Sequence, residues 1–358
     1  MTNINSKQEL DDLMMNTARE NASDLHLSVG RYPTLRISGR LIPLTNKEIL
    51  TPQKVEELVD ALLTDDQKSK FVKDKEADLS YEFGKEARFR INVFYQRGFM
   101  SVAFRLISSK IKSLEDLGIP SIIYNFTKQS QGFVLITGPA GHGKTTTLAA
   151  LIDRINHQKY DHIITIEDPI EYMYTQDRCI INQREVHSDT RSFNNALRSV
   201  FREDANVILI GEMRDWETIS TAVTAAETGH LVFATLHTNS AAQTIDRIID
   251  SFPASQQGQI RAQLSSNLLG IVSQRLIPSI EGGRVPAVEI MFANSAVRNL
   301  IRENKVHQLD LVINTSSDEG MISLNSSLAN LVKERKIDIE NAEKYSTNVS
   351  DLKMILRK

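Results

Sequence analysis

Gly138-Pro139-Ala140-Gly141-His142-Gly143-Lys144-Thr145 stands directly after an apolar run, Phe133-Val134-Leu135-Ile136-Thr137, and directly before Thr146-Thr147-Leu148-Ala149-Ala150-Leu151-Ile152. The stretch spells G-x-x-x-x-G-K-[ST], and a strand before it with a helix after it is the context that makes this spacing a phosphate-binding loop. Glycines at Gly138, Gly141 and Gly143 let the backbone turn its N–H groups inward as a nest for phosphate, and the helix opening at Lys144 adds its positive dipole end. Lys144 would reach the β- and γ-phosphates of a nucleotide, and Thr145 would place its hydroxyl on Mg²⁺. The candidate nucleotide-binding residues are Gly138, Pro139, Ala140, Gly141, His142, Gly143, Lys144, Thr145 and Thr146.

With 358 residues the chain has room for two domains, each with its own core. Apolar residues at 41% and charged residues at 24% describe an ordinary globular protein. A net charge of −3 gives no basic surplus that would advertise nucleic acid, so no direct DNA or RNA partner is expected. Cys179 is the only cysteine, which excludes a disulfide framework or a multi-cysteine zinc site and suits a reducing compartment. The start, Met1-Thr2-Asn3-Ile4-Asn5-Ser6, lacks a basic region and an apolar core, and no apolar run reaches the roughly 18 residues of a spanning helix. The expectation is a cytoplasmic protein without a transmembrane segment, any membrane contact being made through a partner.

The first 107 residues read as a small α+β domain. Leu10, Leu13, Met14 and Ala18 recur at helical spacing, with Ser6 and Glu9 spaced as a capping box. Asp24-Leu25-His26-Leu27-Ser28-Val29 alternates as a strand does, with His26 on its exposed face, and Thr34 to Leu44 reads as two strands turning at Ser38-Gly39. Thr51-Pro52 opens a helix through Leu63. Asp78 to Phe83, Ala87 to Tyr95 and Phe99 to Ile107 are strands, with Gly84 and Gly98 at the turns. Residues 108–131, broken by Gly118 and Pro120, are expected to be a linker. From 132 to 358 the rhythm changes to strand and helix in alternation: Phe133–Thr137, His162–Ile166, Val207–Ile210 and Leu231–Leu236 are short, apolar and separated by helices. Such strands form a parallel sheet covered on both faces, with ligands at its carboxyl edge.

Three clusters fall just after these strands. Glu167, Asp168 and Glu171 follow Ile166 and can hold Mg²⁺ directly or through water. Gly211 and Glu212 follow Ile210, and Gly211 occupies the place where an acidic strand ending would put its Asp. Glu212 is therefore better placed for the attacking water than for the metal. His237 follows Leu236 at the carboxyl end of its strand, where it can donate to a γ-phosphate; His230, at the other end, packs or bridges elements.

In this order the clusters resemble the secretion-type AAA+-like ATPases, and within them the pilus-retraction branch. The resemblance runs through Ala22-Ser23-Asp24-Leu25-His26-Leu27, the Walker A loop, an aspartate box Ile166-Glu167-Asp168-Pro169-Ile170-Glu171, a Walker B stretch from Arg202-Glu203-Asp204 to Gly211-Glu212-Met213-Arg214-Asp215, and a histidine box from Thr228 to Thr238. It implies a PAS-like N-terminal domain, a RecA-like P-loop ATPase core, and a homo-hexameric ring with ATP at each subunit boundary. It also implies action on type IV pili through an inner-membrane platform protein. Ala296-Val297-Arg298-Asn299-Leu300-Ile301-Arg302-Glu303 matches the A-I-R-N-L-I-R-E helix of retraction motors with one conservative change. Extension and type II secretion ATPases are longer and carry a four-cysteine motif that one cysteine cannot build. They remain the alternative, with an accessory retraction paralogue beside them. Where the family commonly has Thr-Gly-Ser this chain has Ala140-Gly141-His142, and His142 is expected to face solvent.

Arg88, Arg90, Arg97 and Arg105 cluster on adjacent N-terminal strands. Alternation puts Arg88 and Arg90 on one face, and by resemblance Arg90 and Arg105 match positions of arginine fingers. The implied roles are Lys144 and Thr145 on phosphate and metal, Glu167 and Asp168 on metal and water, Glu212 as base, His237 as γ-phosphate sensor, and Arg90 with Arg105 completing the site.

Overall fold

The structure is a computed structural model that describes residues 4–37, 39–83, 87–107 and 110–357. It divides into two compact units, Met1–Lys110 with Glu171–Met173, and Ile111–Ile170 with Tyr174–Lys358.

The first unit is built on an antiparallel sheet. Its strands are β1 (Asp24–Ser28), β2 (Thr34–Ile37), β3 (Arg40–Pro43), β4 (Glu76–Phe83), β5 (Ala87–Gln96) and β6 (Phe99–Ile107), in the order β3-β2-β1-β6-β5-β4. Helices α1 (Ile4–Arg19), α2 (Pro52–Leu62) and α3 (Asp65–Asp74) supply Leu10, Leu13, Val55, Leu58 and Phe71 to a core shared with Leu25, Leu27, Phe89, Ile91, Val93 and Phe104 of the sheet. The period-2 pattern of β5 thus buries Phe89, Ile91 and Val93 and leaves Arg88, Arg90 and Asn92 on the other face. Thr51 caps α2 as its sequence suggests, accepting from the Lys54 N–H. Ser6 is no cap: it lies inside α1, buried, and donates to Glu57, while Glu9 pairs with Lys54. Arg97 is not on a strand either. It forms the two-residue turn of the β5–β6 hairpin with Gly98, both at positive φ. Ser38 and Gly84, two of the expected turn residues, lie outside the described residues.

The second unit carries a seven-stranded sheet: β7 (Gly132–Thr137), β8 (His162–Glu167), β9 (Ile180–Glu185), β10 (Val207–Ile210), β11 (Leu231–Leu236), β12 (Leu268–Pro278) and β13 (Arg284–Phe292). The order is β13-β12-β7-β11-β10-β8-β9, parallel throughout except for the antiparallel edge strand β13. On one face lie α5 (Phe193–Val200), α6 (Trp216–Glu227), α7 (Ala241–Asp250), α8 (Gln257–Asn267), α9 (Ser295–Arg302) and α10 (Leu309–Thr315); on the other lies α4 (Lys144–Gln158). Phe133 and Leu135 enter one core and Val134 and Ile136 the other, which is why β7 reads as an unbroken apolar run. Helices α11 (Leu324–Lys333), α12 (Ile339–Tyr345) and α13 (Val349–Arg357) pack Leu328, Ala342 and Leu352 against Ile277 and Ala287 of the β12–β13 pair.

The stretch 108–131 departs from the expected linker. From Ile111 on it belongs to the second unit, with a 3₁₀ helix at Ser121–Lys128 and with Leu114, Ile119, Ile123 and Phe126 buried in that unit's core. Its Gly and Pro shape a turn that returns apolar side chains to the sheet; Gly118 sits at φ +70° against Pro286.

Candidate active site

Four parallel strands end side by side, and each is followed by a residue singled out in the sequence. Gly138 follows β7, Asp168 follows β8, Gly211 and Glu212 follow β10, and His237 follows β11. Parallel register fixes this edge: Thr137 pairs with Leu236, Ile210 with Ala234, and Ile210 with Ile166.

The loop after β7 needs its glycines. A Cβ on Gly138 would stand 2.2 Å from the Gln274 carbonyl oxygen, and Gly138 sits at φ +142°. Gly143 heads α4 at φ +81°, and a Cβ there would meet the Gln274 amide at 2.8 Å. Both positions bring backbone against β12, which only glycine permits. Gln274 is the residue that sequence reasoning missed. It is 2% exposed, accepts from the Thr147 hydroxyl at 2.7 Å and donates to the His142 carbonyl at 2.9 Å, so one side chain holds the loop and the first turn of α4. A glutamine in an apolar strand gives no periodic signal; only the β7–β12 pairing, Ser273 beside Thr137, brings it here.

Lys144 is 8% exposed. Its ammonium donates to the carbonyls of Gly138 at 2.8 Å and Pro139 at 3.0 Å, and lies 3.3 Å from His237 Nδ1. The other ring nitrogen of His237 is 3.0 Å from Glu212 Oε1, and Glu212 Oε2 accepts from the Arg214 guanidinium at 3.0 Å. Arg214 in turn stands 3.9 Å from Asp168. Its hydrogen bond and charge contact with Glu212 raise the guanidinium above its ordinary value. Lys144, His237, Glu212, Arg214 and Asp168 therefore form one polar chain along the carboxyl edge of the sheet. Gly211 occupies the strand end for a steric reason: its N–H donates to the Ile166 carbonyl at 2.8 Å, and a Cβ would meet that oxygen at 3.2 Å and Glu167 Cα at 3.3 Å. The carboxylate is displaced to 212 because β8 leaves no room at 211.

Glu167 is 4% exposed and accepts from Thr165 Oγ1 at 2.7 Å and from Gln183 Nε2 at 3.4 Å, both on the sheet. Thr145 and Thr146 open α4 half-buried. His142 departs from the expectation that it faces solvent. It is half-buried, and its Nδ1 accepts the Leu276 N–H at 2.9 Å. The reason is the end of β7: with that strand finished at Thr137 opposite Ser273, the Leu276 N–H has no strand partner on that side and takes the imidazole. His230 packs, as its position at the start of β11 suggests, with Nδ1 2.9 Å from the Ala225 carbonyl and its ring edge-on to Phe201. Cys179 is buried, and burial pushes its thiol up.

In the first unit the structure brings a second set together. Arg90 and Arg105 are direct cross-strand partners on β5 and β6, and Arg105 pairs with Asp24 of β1 at 3.0 Å. Asp24 also meets Arg36 at 3.5 Å. Arg90, Arg105 and Asp24 line, with His26, Asp78 and Asn92, a cleft of about 360 Å³. His26, expected exposed, is half-buried there; burial lowers its imidazole and leaves Nε2 without a hydrogen-bond partner. Arg88 leaves this group for Glu82, 3.4 Å away on β4.

A glycine loop on a strand–helix junction, a buried lysine and a strand-end carboxylate tied to a histidine define a P-loop ATPase. The chain belongs to the Type II/IV secretion system protein family, whose model matches residues 5–341. It is 47% identical over 334 residues to the type IV pilus retraction ATPase PilT of Pseudomonas aeruginosa, covering 93% of this chain and 97% of that one. It is 37% identical over 350 residues to the type IV pilus ATPase PilU of the same organism, covering 98% and 91%. A crystal structure of the pilus retraction motor PilT with bound ADP superposes with a TM-score of 0.88 at 44% identity, covering 96% of this chain and 98% of that one. The ATPase assignment and the α/β fold class stand on these matches. No helix among the described residues is long and apolar enough to cross a membrane.

Proposed function

We propose that this chain is a Mg²⁺-dependent motor that hydrolyses ATP to retract a type IV pilus. The ring it forms is a homo-hexamer in the cytoplasm, docked on an inner-membrane platform protein. The observation that carries the reading is the contact chain from Lys144 through His237 to Glu212, because it joins the loop that would hold the phosphates to the base that would activate water. Similarity to PilT over nearly the whole length, higher than to PilU, favours the principal motor over an accessory one.

Glu212 would orient a water and take its proton, and His237, held by Glu212 on one nitrogen and beside Lys144 on the other, would register loss of the γ-phosphate. Thr145, with Asp168 and Glu167 through water, would hold Mg²⁺, whose contribution when bound is to neutralise charge on the polyphosphate. No group of three or more His, Cys, Asp or Glu side chains among the described residues is gathered to cage a metal. That suits an ion that arrives on phosphate and keeps most of its water. Arg90 and Arg105 would complete the site from a neighbouring subunit.

The test is Glu212→Gln in the full-length chain. It should bind ATP and turn over roughly 10²- to 10⁴-fold more slowly, the usual worth of a positioned general base. Normal turnover would remove Glu212 from this role. Mixing that subunit with an Arg90→Ala, Arg105→Ala subunit should restore part of the activity, and no recovery at any ratio would contradict shared sites. A strain lacking the gene should lose pilus retraction and regain it with the wild-type chain alone.

A further inference from the structure

We infer that His142 is a positioning residue that latches the Walker A loop to β12 only as the neutral imidazole, so that acidification loosens the loop's hold on a polyphosphate. The inference rests on the nucleotide reading of that loop and adds a control to it.

Residues 141–143 are tied to the β12–β13 pair at three points. The Gly141 carbonyl accepts from Arg284 at 3.3 Å, the His142 carbonyl accepts from Gln274 at 2.9 Å, and His142 Nδ1 accepts from the Leu276 N–H at 2.9 Å. The first two ties involve groups that do not titrate near neutral pH. The third does. An Nδ1 that accepts a backbone N–H carries no proton, so the ring is the Nε2–H tautomer. Protonation would set N–H against N–H at 2.9 Å, and the ring would have to leave. Its departure would also strip the Leu276 N–H of the imidazole acceptor, at a strand position where backbone donors are normally satisfied.

The surroundings hold the ring in its neutral form. Burial acts first, and the charged groups that act on it are cations from three elements: Arg284 of β13, Lys144 of α4 and Arg275 of β12. Together they lower the imidazole below 6.5. A folded-state value lowered in this way means that the latch is fully closed above about pH 6.5 and opens as pH falls through the lowered value. The N–H groups released with the loop are those that would face phosphate, because Gly141, His142 and Gly143 lead directly into Lys144 at the head of α4.

The experiment is equilibrium binding of a fluorescent ADP to the full-length chain with magnesium, from pH 7.5 to 5.5, for the wild type, His142→Asn and His142→Ser. Asn keeps an acceptor at the position and cannot titrate; Ser removes the ring. Over this range the wild type should lose on the order of tenfold more affinity than either variant, the factor that about one hydrogen bond carries. His237 is present in all three proteins, so the difference between profiles isolates position 142. Parallel profiles would overturn the latch. So would wild-type affinity that rises on acidification, which would make the imidazolium a direct phosphate ligand. A wild type that fails to bind ADP even at pH 7.5 would instead overturn the nucleotide reading, and the latch with it.

Discussion

The two sheets of this protein handle cations in opposite ways. On the parallel sheet Lys144 is 8% exposed and already engaged by two loop carbonyls and His237, so its position is set by the fold before any ligand arrives. On the antiparallel sheet the Arg105 side chain is 67% exposed, steadied by Asp24, and stands beside Arg90 on a face that, among the described residues, no helix of that unit covers. The difference follows from sheet type. Strands buried on both faces deliver chemistry only at their ends, where loops emerge; a sheet packed on one face offers its whole outer surface. The first arrangement prepares a site. The second presents charge to something outside the unit.

The largest effect that would sharpen this contrast comes from the outer face. Arg90→Ala with Arg105→Ala should lower ATP turnover by about 10³-fold or more if these arginines meet a transferring phosphoryl group. Thermal stability should move little, because Asp24 keeps Arg36 when Arg105 is lost, and an ion pair whose cation is exposed to solvent is worth about 1 kcal/mol or less. Steady-state rates and melting curves on the same preparation read both. An unchanged rate would break the comparison, leaving the arginine face as mere surface.

Next comes the scaffold of the prepared site. Gln274→Ala takes the amide donor from the His142 carbonyl, while the Thr147 hydroxyl keeps the Gly143 carbonyl at 3.1 Å, so one group is left unsatisfied at about 1–3 kcal/mol. Stability should fall by that amount and ADP affinity about tenfold, measured by chemical denaturation and by nucleotide titration. Gln274→Glu, which keeps an acceptor for Thr147 but offers the His142 carbonyl no amide donor, should leave ADP affinity below the wild-type value.

The smallest effect lies within the same sheet, at Glu289. This carboxyl on β13 is buried and accepts the Ala241 N–H at the start of α7, and burial raises it to about 7. In the folded chain it keeps its proton up to that pH, whereas unfolded it would ionise near 4.5. The folded state therefore binds more protons between about pH 4.5 and 7, and stability falls as pH rises through that window. Glu289→Gln should flatten the dependence, with wild type losing on the order of 2 kcal/mol relative to the variant between pH 5 and 7.5. Denaturation curves at several pH values check it, and a wild type that gains stability over this range would contradict the assignment.

The same contrast explains what was legible in the sequence. Strands β7, β8, β10 and β11 are continuous apolar runs bounded by chemistry-bearing residues, and the carboxyl-edge cluster could be read from order alone. Strand β9, Ile180-Ile181-Asn182-Gln183-Arg184-Glu185, is an edge whose last four residues are polar and carries no such run. Strand β12 follows α8 without a Gly or Pro between them, so helix and strand merge in the sequence. Gln274 was hidden with it, since its partners lie about 130 residues away. His142 misled for the same reason: its position in the loop suggests solvent, and only the Leu276 N–H, left over where β7 stops, gives its ring a place to go.

The loop ahead of Lys144 is built to hold a polyphosphate, and direct titration of ATP into the full-length chain with magnesium, wild type beside Lys144→Ala, tests it. The wild type should bind saturably and the variant on the order of 100-fold more weakly, as loss of charge-assisted hydrogen bonds requires. Equal binding by the two proteins, or none by the wild type, would contradict it.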